Sequence, residues 1–257
     1  MCYDIKVLYE NALKRAKRKN DPERMKVIEE ELKDFKDHEY HHTSGYAHPK
    51  IPVYSNLSPN EPRLFNWGLI PTWVKDEQSA LSIQNKTLNA RIETIFEKPS
   101  FREAANNKRC LIYVDGFYEH HHYQGKIYPY FIQSLDQEPI CLAGLWDQWV
   151  NSATGEIYHG FSIITTKGMG LMKKTHNNPK LSEARMPLFL QESGQERWLS
   201  ESFNQYQIKP LVSEISSIQL QAHTVKPLGG KYALGNIKQS SQEHIYPELS
   251  SSLKLDL

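Results

Sequence analysis

The chain has 257 residues, of which 31 are basic and 30 acidic, so a formal charge of +1 excludes an overall positive field that would attract nucleic acid. Hydrophobic residues make up 39% of the chain and aromatic residues 11%, which excludes a disordered protein and predicts a sizeable core. Three cysteines exclude a disulfide framework and favour a reducing compartment. No signal peptide or membrane span is predicted, so we expect a cytoplasmic protein, nucleoid-associated if its source is bacterial.

The chain opens with a cysteine directly after the initiator methionine. Cysteine is small enough that a methionine before it is usually removed, which would leave Cys2 as the N-terminal residue. Cys2 would then carry a thiol and a free α-amine, groups whose unperturbed pKa values are about 8.5 and about 7.7–8.0. With an aldehyde, the amine forms a Schiff base and the thiolate then closes a thiazolidine ring. An incidental cysteine at position 2 is the alternative.

A pair of helices is predicted over residues 5–38. Ile5 to Lys19 keeps apolar residues at helical spacing, and Asn20-Asp21-Pro22 ends that pattern. Asp21 is predicted to cap a second helix that has Pro22 at its first position and extends to about Asp37.

Beyond Tyr40, short segments typical of strands alternate with turns. The predicted strands are Ile51–Tyr54, Arg63–Ile70, Arg109–Tyr118, Tyr128–Gln133, Ile140–Gln148 and Tyr158–Thr166. Helical segments are predicted near Ser100–Asn106, Gly168–Lys174 and Gly194–Ser200. This order predicts an α+β fold, one domain over residues 1–257, with a mainly antiparallel, barrel-like β core and flanking helices. Residues 239–257 are polar and are predicted to form a surface tail.

Four local strings carry side chains suited to chemistry. They are Phe65–Pro71 with Trp73, Asn89–Arg91 with Glu93, Asp115–Glu119, and Thr175-His176 followed by Arg185–Pro187. Phe117 and Tyr118 would desolvate Glu119 and raise its pKa, which suits a general acid. His176 has the ordinary pKa, about 6.5, of a proton shuttle. Each string also has an ordinary explanation, such as a turn, a surface ion pair or an aromatic residue in the core.

The order of these strings after Met-Cys, together with Lys98–Phe101 and Leu234–Asn236, resembles the SOS response-associated peptidase (SRAP) family over nearly the whole chain. The resemblance implies a sensor of abasic sites in single-stranded DNA that crosslinks to them through its N-terminal cysteine as a thiazolidine. It also implies removal of the initiator methionine in cis and slow reversal of the crosslink.

Carried onto this sequence, the resemblance implies a role for each motif residue. Cys2 would supply the amine and thiol, and Asn89 would orient the amine and the sugar. Glu119 would act as general acid and base, and His176 would move protons during Schiff-base formation and crosslink reversal. No metal or organic cofactor is implied. The implied partner is single-stranded DNA containing abasic sites, and we expect a monomer without a membrane partner.

DNA contacts are implied for a second set of residues. Arg91 and Arg185 would hold phosphates, because a guanidinium binds two oxygens at once. Trp67 and Trp73 would lie against bases, since stacking tolerates any sequence. A local groove is expected to gather basic side chains, namely Arg91, Lys98, Arg102, Arg109, Lys167 and Arg185.

Three features depart from the family pattern. His120 follows Glu119 where tryptophan is common, and Asp4 stands where many relatives have arginine. The link from Asn177 to Ala184 is longer than the minimal one, so His159 is the alternative to His176.

Three rival functions remain open at the level of sequence. His38-Glu39-Tyr40-His41-His42 matches the H-E-x-x-H signature of zinc proteases, provided that His38 and His42 share a helical face around the base Glu39. A cysteine peptidase would use Cys2 as its nucleophile and His176 as its base. A non-covalent single-strand binder would not use Cys2 at all.

Overall fold

The computed structural model describes residues 2–214 and 218–249. Its strands are β1 Asp4–Val7, β2 Tyr40–Ser44, β3 Lys50–Ser55, β4 Ser58–Trp67, β5 Asn89–Arg91, β6 Arg109–Val114, β7 Gly116–Tyr123, β8 Lys126–Ser134, β9 Ile140–Val150, β10 Ile157–Lys167, β11 Arg185–Pro187 and β12 Leu220–Thr224. Its α-helices are α1 Tyr9–Ala12, α2 Lys14–Lys19, α3 Pro22–Glu31, α4 Lys33–Asp37, α5 Glu77–Gln84, α6 Arg102–Asn107, α7 Gly170–Thr175, α8 Glu192–Leu199 and α9 Ile208–Ser213.

Five of the strands form a closed barrel. Strands β4, β3, β6, β9 and β10 pair in that order, and a short parallel contact between β10 and β4 closes the ring. At the closure Gly160 lies opposite Asn66, and the Gly68 N–H donates to the Phe161 carbonyl at 2.8 Å. All residues of β6 are buried, because one face lines the barrel and the other is covered by helices. The prediction of an α+β fold with a barrel-like β core is confirmed.

A second sheet carries the N-terminus. Its order is β12-β8-β7-β1-β2, so β1 lies between β7 and β2 and is antiparallel to both. Asp4 pairs with Tyr118 and Ile5 with Phe117. Because the two strands run in opposite directions, this register directs the residues that precede Asp4 towards Glu119 and beyond.

The prediction of a helix over Ile5–Lys19 is wrong in its first part. Ile5 and Val7 are buried and Lys6 is half-buried, the alternation of a strand, and the helices begin only at Tyr9. The N-cap of the second helix is confirmed, since Asp21 Oδ1 accepts from the Arg24 N–H at 2.8 Å. A break at Leu32 divides that helix into α3 and α4.

The structure does not support the zinc-protease alternative. Helix α4 ends at Asp37, and the signature continues into the extended strand β2, so His38 and His42 share no helical face. The His42 ring instead contacts Asp4, with Nε2 3.0 Å from Oδ1. Across residues 2–214 and 218–249, no group of three or more His, Cys, Asp or Glu side chains could hold a metal ion.

The predicted strand Arg109–Tyr118 is two strands in the structure. Asp115 separates β6 from β7, and its carboxylate accepts from the Leu8 N–H at 2.7 Å and from Asn11 at 2.6 Å. The predicted polar tail is packed in part, since Ser240 and Leu249 are buried, and residues 250–257 lie outside the described residues. No helix of the described chain is long and apolar enough to span a bilayer.

Candidate functional site

Strands β1 and β5 bring two of the predicted site residues into direct contact. Asn89 begins β5, which pairs in parallel with β10, and Asn89 lies opposite Ile163. From there the Asn89 side-chain N–H donates to the backbone carbonyl of Cys2 at 2.8 Å. Cys2 itself has no exposed surface. The contact fixes the backbone of Cys2, so the direction of its α-nitrogen is set by the barrel.

Glu119 and His176 form a second contact. The His176 Nδ1 lies 3.3 Å from a carboxylate oxygen of Glu119, and both side chains are buried. His176 directly follows α7, and its Nδ1 also lies 2.8 Å from the carbonyl oxygen and 3.2 Å from the N–H of Arg185. With acceptors and a donor both in reach, Nδ1 can hold a proton near Glu119 or accept one, which suits a proton carrier.

Burial sets the protonation of these groups. It raises the pKa of Glu119 and lowers that of His176, since both charged forms lose solvation. Burial also raises the pKa of the Cys2 thiol well above its usual value, and the negative charge of Glu119 raises it further. In this arrangement the thiol is therefore held as S–H beside a carboxyl group that can take up or release a proton.

Asn89 has one polar atom without a partner among the described residues. Its Oδ1 is buried and accepts no hydrogen bond within the described part of the chain. A buried carbonyl oxygen left unpaired costs free energy, so it would gain from a donor that arrives in the site. An amine or a sugar hydroxyl is a donor of this kind.

Arg185 does not lie where a phosphate could reach it, which corrects its predicted role. It is 1% exposed and makes a paired contact with both carboxylate oxygens of Glu93 at 2.9 Å. Further bonds reach Glu183 at 3.0 Å and the Thr165 carbonyl at 2.8 Å. Arg185 therefore joins β11 to β10 and to the turn after β5, and it supports His176 through its backbone.

Trp67 is fully buried, so it offers no face to a base, and its predicted role is also wrong. Its Nε1–H donates to the Leu88 carbonyl at 2.8 Å, directly before Asn89. Its ring also lies against Gly45, where an added Cβ would come within 3.1 Å. The Gly45 N–H in turn donates to the Tyr3 carbonyl at 2.7 Å. Trp67 therefore packs against two segments of the site, the one before Asn89 and the turn at Gly45.

The remaining predicted DNA contacts are accessible. Arg91 is exposed at the end of β5, and Trp73 is 53% exposed while its Nε1–H donates to the Pro99 carbonyl at 3.2 Å. Lys98, Arg102 and Lys167 are exposed as well. Arg109 is buried, and its guanidinium donates hydrogen bonds to the backbone carbonyls of Ala105, Asn106, Trp198 and Ser200. The expected basic groove thus lacks Arg109 and Arg185.

Sequence reasoning missed one feature beside Cys2. Tyr3 and Tyr46 pack together with ring centroids 5.2 Å apart, and Tyr46 is 56% exposed. The position of Tyr3 directly after Cys2 was a signal, but the pairing depends on how β1 and β2 lie in the sheet.

Comparisons with known proteins agree on one family. The family model described as SOS response associated peptidase (SRAP) matches residues 9–231. Abasic site processing protein YoqW of Bacillus subtilis is 32% identical over 194 residues, which cover 74% of this chain and 81% of YoqW. Abasic site processing protein HMCES of Mus musculus is 29% identical over 211 residues, covering 70% of this chain and 55% of HMCES.

Solved structures share the fold. A protein from Bacteroides thetaiotaomicron superimposes with a TM-score of 0.79 at 30% identity and covers 95% of this chain and 100% of its own. A second, from Bordetella bronchiseptica, reaches a TM-score of 0.65 at 23% identity, covering 88% of this chain and 100% of its own.

Proposed function

The chain belongs to the SOS response-associated peptidase family, and from this premise we propose that it captures abasic sites in single-stranded DNA as a covalent adduct on Cys2. The observation that carries the proposal is the convergence of two contacts, Asn89 on the Cys2 backbone and Glu119 on His176, with the charge of Glu119 acting on the Cys2 thiol. Relatives named as abasic site processing proteins support the choice of substrate.

The proposal requires that Met1 be removed. Removal creates the free α-amine of Cys2, and because Cys2 has no exposed surface in the described structure, it must also open a path to the sugar. The Asn89 oxygen that lacks a partner among the described residues would then accept a hydrogen bond from the new amine or from a sugar hydroxyl. Trimming and DNA capture are therefore two steps at one site.

The chemistry begins with the sugar, which is mostly a closed hemiacetal. Protonated Glu119 donates its proton to the ring oxygen while its second carboxyl oxygen takes the proton of the anomeric hydroxyl, so the aldehyde opens and Glu119 is protonated again. The Cys2 amine adds to the carbonyl carbon, and Glu119 protonates the resulting hydroxyl, which departs as water and leaves an iminium beside the Glu119 carboxylate. The Cys2 sulfur then forms a bond to the same carbon, and the thiol proton passes to the Glu119 carboxylate. One C–N and one C–S bond form, and one water is released.

His176 completes the proton path. Its burial holds the ring neutral near neutral pH, so it can take a proton from Glu119 or return one during reversal of the adduct. Arg91, which is exposed beside Asn89 in the same strand, is proposed to hold a phosphate. Trp73 is proposed to lie against a base.

The raised pKa of Cys2 argues against the cysteine-peptidase alternative. A peptidase nucleophile acts as a thiolate and needs surroundings that lower its pKa. Here burial and the nearby Glu119 both raise it. Attack by the amine first, followed by addition of the thiol to an iminium, does not need a preformed thiolate.

Intact mass spectrometry with a single-stranded oligonucleotide containing one abasic site tests the proposal. We expect a protein lacking Met1 to gain the mass of the oligonucleotide less one water, and the adduct to survive denaturation. Cys2→Ala is expected to give no adduct and to retain weak strand binding. A denaturant-stable adduct on Cys2→Ala, or on a chain that still carries Met1, would contradict the mechanism.

A further inference from the structure

Tyr3 and Tyr46 form an aromatic pair beside the Cys2 site. Their ring planes are tilted by 32° at a centroid distance of 5.2 Å. Tyr3 is half-buried beneath, whereas Tyr46 exposes 56% of its surface. Large aromatic side chains usually lose most of their surface on folding, so a supported and half-exposed ring offers contact area at little entropic cost.

The turn that carries Tyr46 is held from two sides. Tyr46 lies in the 3-10 turn Gly45–Ala47, directly after β2. The Gly45 N–H donates to the Tyr3 carbonyl, which ties the turn to the residue that follows Cys2. From below, the Trp67 ring leaves Gly45 so little space that a Cβ would meet it at 3.1 Å. The ring of Tyr46 is therefore positioned by the same side chain that holds the segment before Asn89.

The surroundings of Tyr3 raise the pKa of its hydroxyl. Burial raises the pKa of Tyr3, and the neighbouring Tyr46, to which its hydroxyl hydrogen-bonds, raises it further, as does the negative charge of Glu119. Tyr3 is thus coupled to the site by its position directly after Cys2 and by the charge of Glu119. The raised pKa keeps the Tyr3 ring neutral at neutral pH, so an uncharged aromatic ring backs Tyr46.

We propose that the Tyr46 ring, backed by Tyr3, stacks on the nucleobase that flanks the abasic site. This inference rests on the proposed function. An abasic position has lost its own base, so the neighbouring base has one unstacked face at the lesion. A fixed aromatic ring beside the residue that captures the sugar can cover that face, whichever base is present.

Equilibrium binding tests the stacking contact separately from the chemistry. The probe is a fluorescent single strand containing a tetrahydrofuran abasic analogue, which has no aldehyde and forms no adduct. We expect Tyr46→Ala to weaken binding about tenfold or more, and Tyr46→Phe, which keeps the ring, to bind within about twofold of the parent protein. Tyr206→Ala removes another highly exposed tyrosine, in the 3-10 turn Gln205–Gln207, and should bind as the parent does.

A double-mutant cycle identifies the base. Two further oligonucleotides carry a second tetrahydrofuran unit in place of one flanking nucleotide, on the 5′ side in one and on the 3′ side in the other. When the base on the stacked side is missing, we expect the affinity of the parent protein to fall about tenfold. The affinity of Tyr46→Ala should not fall further, because the base and the ring are partners. Additive losses on both sides, or equal binding by Tyr46→Ala and the parent, would overturn the proposal.

The same set of proteins separates this inference from the proposed function. Each is also incubated with a true abasic oligonucleotide, and adduct formation by the parent is measured. Adduct formation together with additive binding losses would reject the stacking contact alone. Binding to the analogue with a non-additive cycle but without any adduct would reject covalent capture and retain the stacking contact. If the parent bound neither strand, both proposals would be wrong.

Discussion

Burial raises the pKa of Glu119, which suits it to donate a proton, and the same burial lowers the stability of the folded protein. A buried carboxyl group beside His176 ionises less readily than in water, which is the condition for a proton donor near neutral pH. The same burial disfavours the folded state once the group is ionised. Catalytic competence and stability therefore oppose each other at this residue.

Replacement of Glu119 by Gln separates the two effects. Gln cannot shuttle a proton, so we expect crosslinking to slow about 100-fold or more. Because the folded pKa of Glu119 is raised, its contribution to stability is present below the unfolded value of about 4.3 and is lost as the pH rises through the folded value. At pH 7 the variant should melt about 2–4 °C higher, roughly 1 kcal/mol, and at pH 4 this gain should disappear.

Adduct formation on gels and thermal unfolding at pH 7 and pH 4 measure both quantities. Glu201→Gln, which changes an exposed carboxylate in a turn, should alter neither. A Glu119→Gln variant that crosslinks at the parent rate would remove Glu119 from the mechanism. A variant less stable than the parent at pH 7 would contradict the effect of burial.

At the scale of elements, the sequence motifs predicted which residues meet but not which of them face solvent. Asn89 contacts Cys2 and Glu119 contacts His176, because the starts of β1 and β5 lie together and the middle of β7 lies beside the end of α7. Trp67 and Arg185 belong to strings just as specific, yet both are buried. Whether an arginine meets a phosphate or a carboxylate depends on Glu93, which lies 92 residues away in the chain.

The first strand illustrates how tertiary pairing overrides local pattern. Ile5 and Leu8 fit helical spacing, while Ile5 and Val7 equally fit the alternation of a strand. Strands β7 and β2 decide between the two, because β1 completes hydrogen bonds on both of its edges. No pattern within residues 5–19 contains that information, and the same pairing is what carries Cys2 to Glu119.

Trp67 links two elements of the site, and its N–H can be removed without losing the ring stack. Trp67→Phe keeps an aromatic ring near Phe161, whose centroid lies 6.2 Å away, but it loses the bond to the Leu88 carbonyl. We expect a loss of about 1–3 kcal/mol in the free energy of unfolding. Crosslinking should fall about 10- to 100-fold, because Asn89 and the turn Gly45–Ala47 are no longer held in place.

Trp198→Phe is the matched control. Trp198 is equally buried and donates to the carbonyls of Cys110 at 3.0 Å and Gly144 at 3.2 Å, in contact with β6 and β9 rather than with the site. It should lose similar stability and crosslink at the parent rate below its unfolding transition. Equal crosslinking by the two variants would mean that Trp67 contributes to stability alone.

For the molecule as a whole, barrel closure is the feature on which the site depends. Four of the five contacts between neighbouring barrel strands are antiparallel ladders, whereas β10 and β4 meet in a parallel contact of only two residue pairs. Strand β10 also holds β5 and β11, and with them Asn89 and Arg185. A change that separates β10 from β4 therefore disturbs the core and the site together.

Gly160→Ala tests this dependence. A Cβ at Gly160 would lie 2.5 Å from the Gly68 carbonyl oxygen and 3.1 Å from the Leu69 Cα, and neither backbone atom can move away alone. We expect a loss of about 1–3 kcal/mol in the free energy of unfolding by urea, with slower crosslinking under native conditions. Gly229→Ala, where no atom lies within 4 Å of the added Cβ, should change stability by less than about 0.5 kcal/mol. If both variants unfold at the same urea concentration as the parent, the contact between β10 and β4 is not what closes the barrel, and the site must be held by the antiparallel ladders alone.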